Sequence, residues 1–166
     1  MSSDLSADRA AAECLRTIYR FLTWIDEVRI DGERVLDFGS EPPPSYTAAL
    51  ERTKDILSNG ANSLSDHVGA PIINPYYEPI LKYEKEQLER HIHKTEEDYD
   101  QLRNATPEKK PGFWGRFKNG VKKVFNSADV ILDSLESYVP GLKFATEFKK
   151  QLEILSQKRK DKELEG

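Results

Sequence analysis

Ala11, Cys14, Leu15, Ile18, Phe21, Leu22, Ile25 and Val28 recur at steps of three and four residues. In a strand, where successive side chains alternate, they would scatter over both faces; at about 100° per residue they gather on one side of a helix. Arg9, Glu13, Arg16, Arg20 and Glu27 take the opposite side. The spacing therefore predicts a two-faced helix of about six turns, with Ser6 as its N-cap and Trp24 beside the stripe, half exposed. Such a helix is stable only when its stripe is covered by other elements, and the rest of the chain must supply them.

Asp31-Gly32 ends this helix, and with Val28, Ile30, Val35 and Leu36 on either side, a short β-hairpin there is the alternative to a simple helix stop. Pro42, Pro43 and Pro44 then fix φ and remove backbone donors, which reads as a stiff connector. A second helix is expected from a cap at Ser45 or Thr47, carrying Tyr46, Ala49, Leu50, Thr53, Ile56 and Leu57 inward. Asn59-Gly60 is expected to kink or end it, and Leu64 and Val68 continue its phase. Pro71, Pro75 and Pro79 keep the next stretch extended over a core edge, after which Pro79 opens a third helix. Leu81, Leu88, Ile92, Thr95, Tyr99 and Leu102 give that helix a thin seven-residue seam, with Glu84 and His91 where an ideal seam would be apolar.

Asn104 to Gly112, with Pro107 and Pro111, marks the clearest break, and charge reverses across it. Residues 1–104 carry 12 Lys and Arg against 20 Asp and Glu, a balance of −8. Residues 105–166 carry 13 against 9, a balance of +4, and together they give the formal net charge of −4. The sequence thus divides into an acidic helical body, 1–104, and a basic helical appendage, 105–166, with a charged, frayed tail. The appendage opens with Phe113, Trp114, Phe117, Val121, Val124 and Phe125 within one arc of roughly 120°, bordered by Arg116, Lys118, Lys122 and Lys123. A cap at Asn126 or Ser127 is expected to start a short helix with Val130, Ile131, Leu132, Leu135, Tyr138 and Val139. After Pro140-Gly141 a last helix shows Leu142, Ala145, Phe148, Leu152 and Leu155. The whole is expected to be all-α, a bundle of about six helices.

Chemistry-bearing patterns are sparse. The chain has no Walker loop, nucleotide-binding glycine fingerprint, His-Glu-x-x-His, nucleophile elbow or calcium loop. Cys14, the single cysteine, lies on a packed stripe and is read as a small hydrophobe. His91 and His93 project about 200° apart on one helix and cannot share a tetrahedral ion, and Glu96, Glu97, Asp98 and Asp100 read as a solvated surface run. No catalytic residue, metal site, cofactor or small-molecule substrate is expected. A lone cysteine and the start Met-Ser-Ser-Asp-Leu-Ser, without a leader's basic and apolar regions, point to a reducing, cytoplasmic setting.

What remains is surface. The expected function is a non-catalytic helical protein–protein interaction or adaptor module, its partner another protein or a second copy of itself. The candidate contact residues are Lys109, Lys110, Phe113, Trp114, Arg116, Phe117, Lys118, Lys122 and Lys123. The alternative is a peripheral membrane protein that inserts Phe113 to Phe125 into an anionic surface. Basic residues interleaved with aromatics could also track a phosphate backbone, but the acidic net charge argues against a nucleic-acid partner.

Overall fold

The computed structural model describes residues 4–30, 32–34 and 44–140. Among these, four α-helices account for most of the chain: α1 (Ser6–Glu27), α2 (Pro44–Ser65), α3 (Glu78–Arg103) and α4 (Lys110–Tyr138). A single 3₁₀ turn at Pro75–Tyr77 leads into α3. Extended structure among the described residues is confined to a two-residue antiparallel pairing, β1 (Arg29–Ile30) with β2 (Glu33–Arg34), in register Arg29 to Arg34. Gly32 in its turn has φ +84°, a conformation that costs other residues a steric penalty. The all-α class therefore stands, with four helices described in place of about six; the helix expected at 142–155 lies outside the described residues.

The packed stripe of α1 behaves as its spacing requires. Ala7, Ala11, Cys14, Leu15, Ile18, Phe21, Leu22 and Ile25 are all buried. Leu5, rather than Ser6, occupies the N-cap position, and Ser6 is the first helical residue, its backbone N–H donating to Asp4 Oδ1. Asp8 and Arg9 then tie α1 to the end of α2 and to the segment beyond it. Asp8, with no exposed surface, accepts the backbone N–H groups of Ile72 and Ile73 at 3.1 and 2.8 Å. Arg9 donates to the Leu64 carbonyl at 3.1 Å and also to that of Ser65, covering the negative C-terminal end of α2.

α2 runs without interruption through Asn59-Gly60, because Leu50, Thr53, Leu57, Gly60, Ala61 and Leu64 keep one phase against α1 on both sides of that dipeptide. Buried side chains outweigh the roughly 1 kcal/mol that a mid-helix glycine costs. The pairs Arg9 with Leu64 and Arg16 with Asn62 show α1 and α2 antiparallel. Cys14 with Leu81 and Trp24 with Tyr99 show α1 and α3 parallel.

α4 is one helix of 29 residues. Asn126 and Ser127, expected as a cap, lie in its interior, since Phe117, Gly120, Val121, Val124, Ala128, Ile131, Leu132 and Leu135 continue a single buried stripe across them. A capping residue starts a helix only where the chain has somewhere else to go, and here the stripe is already covered by α3. The two helices are antiparallel, with Tyr77 against Tyr138, Glu84 against Ser134 and Tyr99 against Phe117. The expected boundary region between them is a compact turn, closed by Ala105 N–H to Leu102, and by Lys109 and Lys110 N–H to Thr106.

Candidate interaction face

The basic aromatic segment forms the N-terminal half of α4, and the structure divides its residues. Phe117 has no exposed surface. Its ring packs edge-on to Trp24 at 6.4 Å and tilted against Tyr99 at 5.9 Å, while Trp24 meets Tyr99 edge-on at 5.7 Å. Phe125 meets Phe21 at 5.9 Å in the same manner. Val121 and Val124 are buried beneath them. Most of the apolar arc therefore covers α1 and α3, with offset and edge-to-face geometry of the kind aromatic cores favour.

Phe113 and Trp114 are half-buried, and Trp114 stacks on Phe117 at 6.0 Å. Each carries a cation on its outer side: the Arg116 guanidinium lies 5.3 Å from the Phe113 ring and the Lys118 ammonium 5.6 Å from the Trp114 ring. Lys109, Arg116, Lys122 and Lys123 are exposed and Lys110 is half-buried. Of the nine expected contact residues, the structure thus leaves Lys109, Arg116, Lys122 and Lys123 exposed, holds Lys110, Phe113, Trp114 and Lys118 half-buried, and takes Phe117 away altogether.

Helix α3 corrects a second expectation. Asp98, expected in a solvated run, is only 3 % exposed, its carboxylate receiving Lys94 at 3.1 Å. Glu84 sits half-buried at the α3–α4 contact and accepts the Ser134 hydroxyl at 2.7 Å, while its second oxygen is buried without a hydrogen bond. Burial pushes the Glu84 carboxyl above its usual range, an effect that the Ser134 hydrogen bond partly opposes. Burial likewise raises the Tyr138 phenol, whose ring stacks on Tyr77 at 3.8 Å. The Cys14 thiol, buried and donating to the Leu81 carbonyl, is pushed up to about 12, mainly by desolvation. A thiol so placed is no nucleophile.

The outward side of α3 carries an ion-pair lattice, Lys82 with Glu78, Lys85 with Glu13 and Glu89, and His93 with Glu97 at 3.1 Å. Among the described residues no group of three or more His, Cys, Asp or Glu is placed to hold an ion, and no described helix is long and apolar enough to cross a membrane.

A group of residues not expected as contact residues stands exposed instead, among them Val130, which the spacing places with the apolar residues of its helix. Tyr76 is 74 % exposed, Tyr83 61 %, Ile80 40 % and Val130 53 %. Tyr76, Ile80 and Tyr83 succeed one another at steps of four and three, one flank away from the buried Leu81 and Leu88. The Glu84–Ser134 contact places Val130, one turn before Ser134, beside the same antiparallel seam. The signal was legible as apolar residues lying off the core stripe of α3, where a solvated helix surface would carry charge. The chain matches no family model, and no curated protein or solved structure is detectably similar to it.

Proposed function

We propose that this protein is a non-catalytic helical interaction module that docks a partner protein on the outer side of α3 and α4. The exposed group Tyr76, Ile80, Tyr83 and Val130 carries the reading. Four large apolar side chains along one helix–helix seam form a surface whose burial is favourable, and tyrosine adds a hydroxyl that can bond at a rim while its ring is covered.

The rival reading, insertion of Phe113 to Phe125 into an anionic membrane, has less support. Phe117, Val121 and Val124 are committed to the interior, leaving only the outer edges of Phe113, Trp114 and Phe125 to accompany the lysines. A photo-crosslinking residue in place of Tyr83 tests the proposal in cells of the source organism. It should trap discrete protein partners that the same residue at Glu97 does not trap, and Ile80→Asp should suppress the adducts. Identical adduct patterns from both positions, or purified protein that sediments with anionic vesicles at low salt, would count against the proposal.

A further inference from the structure

α4 carries its charges against its own dipole. From Lys109 to Ser127 every charged residue is basic: Lys109, Lys110, Arg116, Lys118, Lys122 and Lys123. From Ala128 to Tyr138 every one is acidic: Asp129, Asp133 and Glu136. No acidic residue lies in the first turn and no basic residue in the last. Cations at the positive end and carboxylates at the negative end are each unfavourable for an isolated helix, so this arrangement opposes the stability of α4 taken alone. The segregation also leaves Lys122 without an acid, and Asp129 without a base, three or four residues away on α4.

The charged residues lie along a line. At about 100° per residue, Lys118, Lys122, Asn126, Asp129 and Asp133 fall within roughly 80° of one another, on the side of α4 opposite to Phe117, Gly120, Val124 and Ile131. The stripe is positive in its first half and negative in its second, with its midpoint between Phe125 and Asn126. Such a stripe is complementary to itself when reversed. We infer that α4 of one copy pairs with α4 of a second copy, antiparallel about a two-fold axis near Asn126, with Lys122 facing Asp129 of the other copy.

The symmetry makes this specific. In a two-fold interface the same patch serves both sides, so each Lys122–Asp129 contact occurs twice, and residues on one edge of the stripe in the first copy meet residues on the same edge in the second. Parallel pairing would instead set lysines against lysines along half of the contact. Reversal also brings the positive end of each helix beside the negative end of the other. The arrangement that is unfavourable within one copy becomes favourable between two. The contact is polar and hydrated, so it is expected to weaken as salt rises. It uses a different side of α4 from the Val130 flank and does not depend on the docking of a partner at Tyr83.

Sedimentation velocity on the full chain, at low and high salt, tests the inference. Wild type should dimerise with a salt-sensitive constant. Lys122→Asp alone and Asp129→Lys alone should each weaken self-association by about tenfold or more, since every copy then meets like charge twice. An equimolar mixture of the two single variants should dimerise again, because each supplies the charge the other lacks, and the double variant K122D/D129K should dimerise by itself. Far-UV spectra should remain those of wild type, as Lys122 is exposed and Asp129 lies half-buried on the same side of α4, away from the buried stripe. Monomeric wild type at several hundred micromolar and low salt overturns the inference. So does a dimer that the single variants leave intact, or one that the mixture fails to restore. Crosslinks from Tyr83 that persist in these variants would leave the partner-docking proposal standing on its own.

Discussion

Phe117 shows how one residue decides between two uses of a helix. On the sequence it is the middle of an aromatic face with a cationic border; in the structure it touches Trp24, Tyr99 and Trp114 and has no exposed surface. Phe117→Ala should therefore cost about 3–5 kcal/mol in urea unfolding, the usual range for truncating a buried aromatic ring. Trp114→Ala, at a half-buried site, should cost clearly less; equal losses would mean that Trp114 is as deeply packed as Phe117. Glu84 makes a second residue-scale prediction. Its folded carboxyl titrates above the ordinary value of 4.5 because burial disfavours the charge. The folded state therefore binds more protons than the unfolded state between those two values, so this contribution to stability is present at low pH and lost as pH rises through the folded value. Glu84→Gln should gain stability relative to wild type across the pH range above the ordinary carboxyl value of 4.5. Urea midpoints that differ by the same amount across that range would show that Glu84 ionises normally.

At the scale of elements, the α3–α4 pair depends on close approach at one point. A Cβ built on Gly120 would lie 2.7 Å from Thr95 Oγ1, and that hydroxyl is already held by the His91 carbonyl at 2.6 Å. The glycine is there because backbone and threonine meet, and not for its conformational freedom. Gly120→Ala should destabilise by about 1–3 kcal/mol despite a gain of roughly 1 kcal/mol in helix propensity, since overpacking outweighs it. At Gly115 nothing lies within 4 Å of such a Cβ. Gly115→Ala should raise the melting temperature, and the double variant Gly120→Ala with Thr95→Ala should recover much of the loss. A stabilising Gly120→Ala would show that the two helices stand further apart than the structure places them.

For the whole molecule, α1 is the centre: α2 packs on one side, α3 on the other, and α4 reaches it through Phe125 and Phe117. Cys14 lies at that centre, with no exposed surface and a thiol pushed up to about 12. It serves as a reporter of global opening, because the reactive thiolate forms readily only when α1 separates from α3. Labelling by a disulfide reagent near pH 8 should be negligible in native protein and should rise with urea in step with the loss of helical signal. Prompt labelling without denaturant would place the α1–α3 contact among the locally opening parts of the fold.

Helical periodicity alone determined the all-α class, the inward face of α1 and the seam of α3, because burying a stripe at steps of three and four needs only a neighbour, whichever it is. The charge reversal was legible from composition alone. Tertiary structure decided the rest. Asn59-Gly60 and Asn126-Ser127 look like helix ends locally, yet both are helical because the apolar phase on either side is covered by a partner helix. Asp98 reads as surface but is buried beside Lys94, and Phe117 reads as a membrane or partner anchor but is core. In each case the local pattern fixes which way a side chain points, while only the placement of the neighbouring helix fixes whether that direction leads into protein or into water.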